Sequence, residues 1–156
     1  MLNEIEQLEK DLAFETFSSK TALRIGSYLS RMAIEQNLPL VVDIFLYNRC
    51  LYHFCAEGTT RNTECWIERK KNPVDFFGHS THWVKTKVGG DATLLASKYG
   101  LESSNTTIVE GGFPILLKES GMIGTICISG LEPATDHRLV VEALKHELQR
   151  NTTDQA

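Results

Sequence analysis

The sequence predicts an α+β fold in which a central antiparallel sheet is flanked by helices. Three observations carry that expectation. Leu40 to Tyr47 and Cys50 to Cys55 are rich in β-branched and aromatic residues, and Asn48-Arg49 between them suits a two-residue hairpin turn. Phe113 to Lys118 and Met122 to Ser129 form a second such pair around Glu119-Ser120-Gly121. The remaining segments place apolar residues at helical spacing, and such stripes must cover the faces of the sheet.

Taken in order, Leu2 to Leu12 sets Leu2, Ile5, Leu8 and Leu12 on one helical face; so short a helix needs to dock to be stable. Ser18 or Ser19 is placed to cap a second helix running to about Gln36, with Ala22, Ile25, Leu29, Met32 and Ala33 in its stripe. Gly26 inside that helix reads as a site of close packing, since glycine there costs about 1 kcal/mol relative to alanine. Asn37 and Pro39 end it, and the first hairpin follows. A third helix is expected over Asn62 to Asn72, stopped by Pro73, with Trp66, Ile67 and the stem of Lys70 on one face. Val74 to Trp83 reads as a further short helix, and Asp91 as the cap of another that ends at Gly100. Thr106 to Val109 reads as a short strand before the second hairpin. Gly124 within that hairpin marks a bulge or a close backbone approach. Pro133 opens the last helix, with Leu139, Val140, Ala143, Leu144 and Leu148 as its buried stripe.

The chain's 156 residues suit one domain spanning 1–156. A net charge of −4 and a pI near 5.7 argue against nucleic acid as a partner. No apolar run approaches the roughly 20 residues that span a bilayer, so no membrane partner is expected. The acidic N-terminus lacks the charged and apolar regions of a signal peptide, which predicts a cytoplasmic protein. The four cysteines, at 50, 55, 65 and 127, are expected to be reduced. Cys50 and Cys55 lie five apart on one strand and so should face opposite sides of it, a spacing that does not chelate a metal.

The chemistry-bearing residues suggest one meeting point. Gly111-Gly112, Ser129-Gly130 and the start of the last helix should bring free N–H groups and a helix dipole together, an arrangement that favours an anion. Arg69 and Lys70 would supply positive charge, unless the Arg69-Lys70-Lys71 run is a solvated face balanced by Glu64 and Glu68. His137 would serve as acid, base or ligand, or sit at the surface. The ligand-binding candidates are therefore Arg69, Lys70, Gly111, Gly112, Ser129, Gly130 and His137. Asp43, inside an apolar run, needs a hydrogen-bonding partner or a catalytic role. His79 and His82 are three apart, but two ligands are too few for a tight metal site, and no metal is expected.

Val41-Val42-Asp43-Ile44, Glu68-Arg69-Lys70-Lys71-Asn72, Phe77-Gly78-His79-Ser80, Gly111-Gly112-Phe113-Pro114-Ile115, Ile123-Gly124-Thr125, Ile128-Ser129-Gly130-Leu131 and Asp136-His137 occur in an order and spacing that resemble the HbpS/GlcG family. This family of haem-degrading-like domains includes the C-terminal domain of PduO proteins, and the chain looks most like its uncharacterised cytoplasmic branch. The resemblance implies a profilin-like fold and a homo-oligomer built from dimers. Some relatives bind haem or iron, and some sit beside glycolate or propanediol genes. Thr125 and Cys127 stand where small residues are usual, and a bulkier strand there would narrow a haem pocket. No enzymatic reaction carries over. Three classes stay open: a module binding a small anionic metabolite or a haem-type cofactor, an enzyme on such a metabolite using His137 and Asp43, and a scaffold that only assembles.

Overall fold

The computed structural model describes residues 1–155, with side chains described through Arg150. In chain order the elements are α1 (Leu2–Asp11), α2 (Ser19–Gln36), β1 (Val41–Leu46), β2 (Arg49–Cys55), α3 (Arg61–Phe77), α4 (Thr81–Lys87), α5 (Thr93–Ser97), β3 (Gly112–Leu117), β4 (Gly121–Ser129) and α6 (Pro133–Gln155). The strands form one sheet in the order β2-β1-β4-β3, and every neighbouring pair is antiparallel. The α+β expectation holds.

Alternation along the strands gives the sheet two faces. Val42, Ile44, Phe113, Ile115, Ile126 and Ile128 point to one side and bury against the stripes of α2 and α6. Val41 and Cys127 point to the other, where Ile67 of α3 covers them. Helices α1 and α4 pack together over a second cluster centred on Ile5, Trp83, Val84 and Leu95. Docking of α1 also rests on Glu9, which is buried, accepts the Ser80 N–H at 2.9 Å and lies 2.6 Å from His79 Nδ1.

Ser18 caps α2 through a capping box with Thr21, and Asn37 ends it in the left-handed conformation at φ 54°. Gly26 is a packing glycine, because a Cβ there would overlap the ring of Tyr52. Gly124 is one too: its Cβ would overlap the Phe45 carbonyl across the β1–β4 ladder.

Four boundaries differ from expectation. Pro73 does not stop α3, which continues to Phe77 and ends at Gly78 with φ 72°. Loss of the proline N–H is outweighed by burial of Pro73 and Val74. Val74–Trp83 is consequently not one helix, since α4 begins only at Thr81, capped by Ser80. The first hairpin turns one residue earlier, at Tyr47 and Asn48, both left-handed at φ 49° and 61° as a type I′ turn requires. Thr106–Val109 is not a strand, because side chains meet its backbone groups: Arg69 donates to the Thr106 carbonyl at 3.4 Å and Thr107 Oγ1 accepts the Val109 N–H at 3.1 Å, while Phe14 bridges the outer edge of β3 at Leu117. Phe14 donates its N–H to the Leu116 carbonyl and accepts that of Lys118, both at 2.8 Å.

Candidate functional site

A cleft of about 650 Å³ opens between the β1–β2 hairpin and α3, within the size range of small-molecule sites. Strand β1 contributes Asp43 and Phe45, strand β2 contributes His53, and α3 contributes Glu64, Ile67, Glu68, Lys71, Asn72 and Asp75. Antiparallel register sets Asp43 directly opposite His53. Their side chains therefore meet on the α3 side of the sheet, with His53 Nδ1 2.7 Å from Asp43 Oδ1. Glu64, in the first turn of α3, lies 3.2 Å from His53 Nε2. Cys55, two residues along the same face of β2, brings its Sγ to 3.4 Å from that nitrogen.

The electrostatics of the cleft are acidic. Lys71 is its one lysine, and its Nζ is held by Asp75 at 2.5 Å and by Asn48 at 2.9 Å, 5.0 Å from the centre of the Phe45 ring. Asp43 and Glu64, on either side of His53, and Glu68 complete the acidic lining of the cleft. Burial pushes the Asp43 carboxyl above its usual range, and the bond to His53 pulls it partly back. Burial, with the fields of Glu64 and Asp43, likewise raises the Cys55 thiol.

The sequence pointed to a different place, and the structure brings part of it together. Lys70 is buried; its Nζ donates to Asp136 Oδ2 at 3.0 Å and to the Ile128 carbonyl at 2.9 Å, beside Gly111. Asp136 also accepts the Leu131 N–H at 3.2 Å. Cation, strand end and helix start thus converge as the spacing suggested, but the anion that meets them is the chain's own Asp136. Gly112 packs on the backbone of α3: a Cβ would stand 2.8 Å from the Lys70 carbonyl oxygen and 2.9 Å from Val74 Cγ2. Ser129 donates to the Thr63 carbonyl at 2.5 Å, and Gly130 packs on the Pro39 carbonyl. Arg69 turns away, stacking its guanidinium 4.1 Å over Trp66 and donating to the Thr106 carbonyl at 3.4 Å. The Arg69-Lys70-Lys71 run is neither one cluster nor one solvated face, because helical geometry sends the three side chains in three directions.

His79 and His82 do not share a site. His79 stacks on Trp83 and contacts Glu9, while His82 lies 3.4 Å from Glu110. The His137 ring sits 4.9 Å from that of His82, and its buried Nδ1 has no hydrogen-bonding partner. Burial lowers its pKa from 6.5 to about 4, helped by His82 and opposed by Glu110. The unfolded chain therefore takes up this proton first, and stability falls as pH drops from 6.5 towards 4. Asp136 works in the opposite sense: burial raises it from 3.8 to about 6 against the pull of Lys70, so the folded chain is protonated first over that interval. His137→Phe removes only the first effect. It should raise stability at pH 4.5, relative to wild type, by about 1–2 kcal/mol more than at pH 7, after discounting for the ring's partial exposure. Thermal melts at the two pH values check this.

The sequence missed the His53 cluster because it weighed the cysteines only against each other. A β-bulge shifts the register between Ile44 and Phe45, leaving Cys50 opposite Phe45 and Cys55 opposite Val41. Both cysteines therefore face the α3 side, not opposite sides as their spacing implied. The available signal was His-x-Cys on a strand followed by an acidic first turn of the next helix.

A family model described as "Haem degrading protein HbpS-like" matches residues 17–145. A UPF0303 protein of Paraburkholderia phymatum is 37% identical over 143 residues, spanning 92% of this chain and 87% of its own. A UPF0303 protein of Sinorhizobium medicae is 36% identical over 150 residues, spanning 96% and 92%. The crystal structure of the Ybr137w protein matches with a TM-score of 0.86 at 27% identity, over 94% of this chain and 87% of that one. The crystal structure of the PduOC:haem complex matches with a TM-score of 0.68 at 17% identity over 83% and 94%, a likeness of fold alone. With the sheet order, the matched span and the full-length relatives in agreement, the chain belongs to the HbpS-like family, among its UPF0303 members.

Proposed function

We propose that the protein is a small-ligand-binding module of the cytoplasm, working as a homo-oligomer, and that its ligand enters the cleft between the β1–β2 hairpin and α3. The observation that carries this reading is Asp43, a carboxylate only 8% exposed that is held against His53 at the cleft wall. Burying a charge is costly, and such groups concentrate at functional sites. The surplus of carboxylates over Lys71 favours a cationic or hydrogen-bond-donating ligand, in place of the anionic metabolite suggested by the lysine run. The PduOC relative was crystallised with haem. In this chain the cleft does not suit haem: Phe45 and Ile67 are its apolar walls, and its acids would repel the propionates.

A second reading is catalysis on the same ligand, favoured by the Asp43–His53 contact, in which a carboxylate orients an imidazole that can move a proton. Native mass spectrometry of protein purified from its own host tests the binding reading. A retained mass beyond the polypeptide is expected, and its absence from every preparation would count against the proposal. The same spectra and light scattering read the assembly. Leu23 and Ile34 of α2 are more than half exposed, and β2 is an uncovered sheet edge, so at least a dimer is expected at micromolar concentration. No helix among the described residues is long and apolar enough to cross a membrane.

A further inference from the structure

We infer that His53, Cys55 and Glu64 form a binding site for a borderline-soft divalent cation of the zinc class, at the wall of the cleft. The inference deepens the binding reading and rests on it for the use of the ion, though not for the ion's binding. Among the described residues, one ligand atom from each of the three lies within 4.8 Å of the others. His53 Nε2 is 3.2 Å from Glu64 Oε1 and 3.4 Å from Cys55 Sγ. A tetrahedral ion with bonds of about 2.0–2.3 Å sets its ligand atoms roughly 3.3–3.6 Å apart, so the two separations from His53 already match edges of such a tetrahedron, and Cys55 and Glu64 lie within 4.8 Å of each other.

Three further features agree. Asp43 contacts the other ring nitrogen, Nδ1, at 2.7 Å, closer than Glu64 stands to Nε2 at 3.2 Å, so the shorter contact favours a proton on Nδ1 and turns the Nε2 lone pair towards Glu64 and Cys55. A carboxylate behind a ligating histidine is the usual supporting contact of zinc sites. The donors also sit on regular structure: His53 and Cys55 share one face of β2, and Glu64 sits in the first turn of α3 behind the Thr60 capping box. Thiolate, neutral imidazole and carboxylate together balance a divalent charge, with the thiol proton leaving to solvent. Nitrogen and sulfur donors select zinc-like ions over magnesium or calcium. Three protein donors leave a position for a ligand atom from the cleft, the pattern of working rather than purely structural zinc sites.

The test is titration of chelator-treated protein with Co²⁺, followed by competition with Zn²⁺. One equivalent per chain should bind, with a thiolate-to-cobalt absorption band that zinc abolishes. Cys55→Ser should remove the band and His53→Ala should weaken binding at least tenfold, while Cys65→Ser, on an exposed cysteine outside the cluster, should titrate like wild type. Asp43→Asn keeps all three donors and should weaken binding about 10- to 100-fold. Absence of stoichiometric binding, or a band that survives Cys55→Ser, would overturn the site. Since the probe is the ion alone, a retained organic ligand without cobalt binding sinks the metal site and spares the cleft. Cobalt binding in protein that retains no organic ligand supports the metal site and does the reverse.

Discussion

Asp136→Ala should destabilise the protein by about 3–5 kcal/mol, the largest loss expected from any one side chain. Asp136 and Lys70 are both almost wholly buried and 3.0 Å apart, so removing the acid strands an ammonium group inside the fold. The Leu131 N–H loses its acceptor as well. Lys70→Met should cost a similar amount, by stranding the carboxylate. The double variant Lys70→Met with Asp136→Leu should recover most of the loss, because two apolar groups of similar volume need no partner. Urea unfolding of the three variants decides the matter. Losses below about 1 kcal/mol for both single variants would mean that the pair is open to water.

Gly112→Val should cost about 3 kcal/mol, and the loss should appear in stability rather than in ligand binding. The sequence suggested the opposite, that this glycine lets backbone approach a ligand. In the fold it lets β3 approach α3, with the Lys70 carbonyl, Val74 and Thr81 all within 3.2 Å of a Cβ. The Gly112 N–H also donates to Thr81 Oγ1 at 3.0 Å, a bond that any shift would strain. A lower urea midpoint with unchanged binding per folded molecule is the expected outcome. Normal stability with lost binding would return the glycine pair to the ligand.

Much of the fold was legible because its signals are local. The two hairpins, the Ser18 cap and the Asn37 stop each depend on a few neighbouring residues. The errors came where distant contacts outweigh local preference. Pro73 stays helical because its flank is buried, and Thr106–Val109 stays irregular with its backbone held by the Arg69 and Thr107 side chains. The convergence of Lys70, Gly111 and the α6 start was also legible. That Asp136 would answer the lysine was not, because a first-turn acid reads equally well as a dipole partner. The His53 cluster depends on the register of one hairpin and the entry of α3, neither of which spacing alone reveals.

The central claim is that ligand binding belongs to the His53–Asp43 cleft and not to the glycine meeting point. Native mass spectrometry of His53→Ala and Arg69→Ala, purified from the same host beside wild type, tests it most directly. His53 is substantially exposed, and Arg69 stacks on Trp66 and donates to the Thr106 carbonyl away from the core, so both variants should fold. Loss of the retained mass from His53→Ala, with the mass kept by Arg69→Ala, is the predicted result. The reverse pattern would contradict the account and place the ligand at Arg69, beside Trp66 and Thr106.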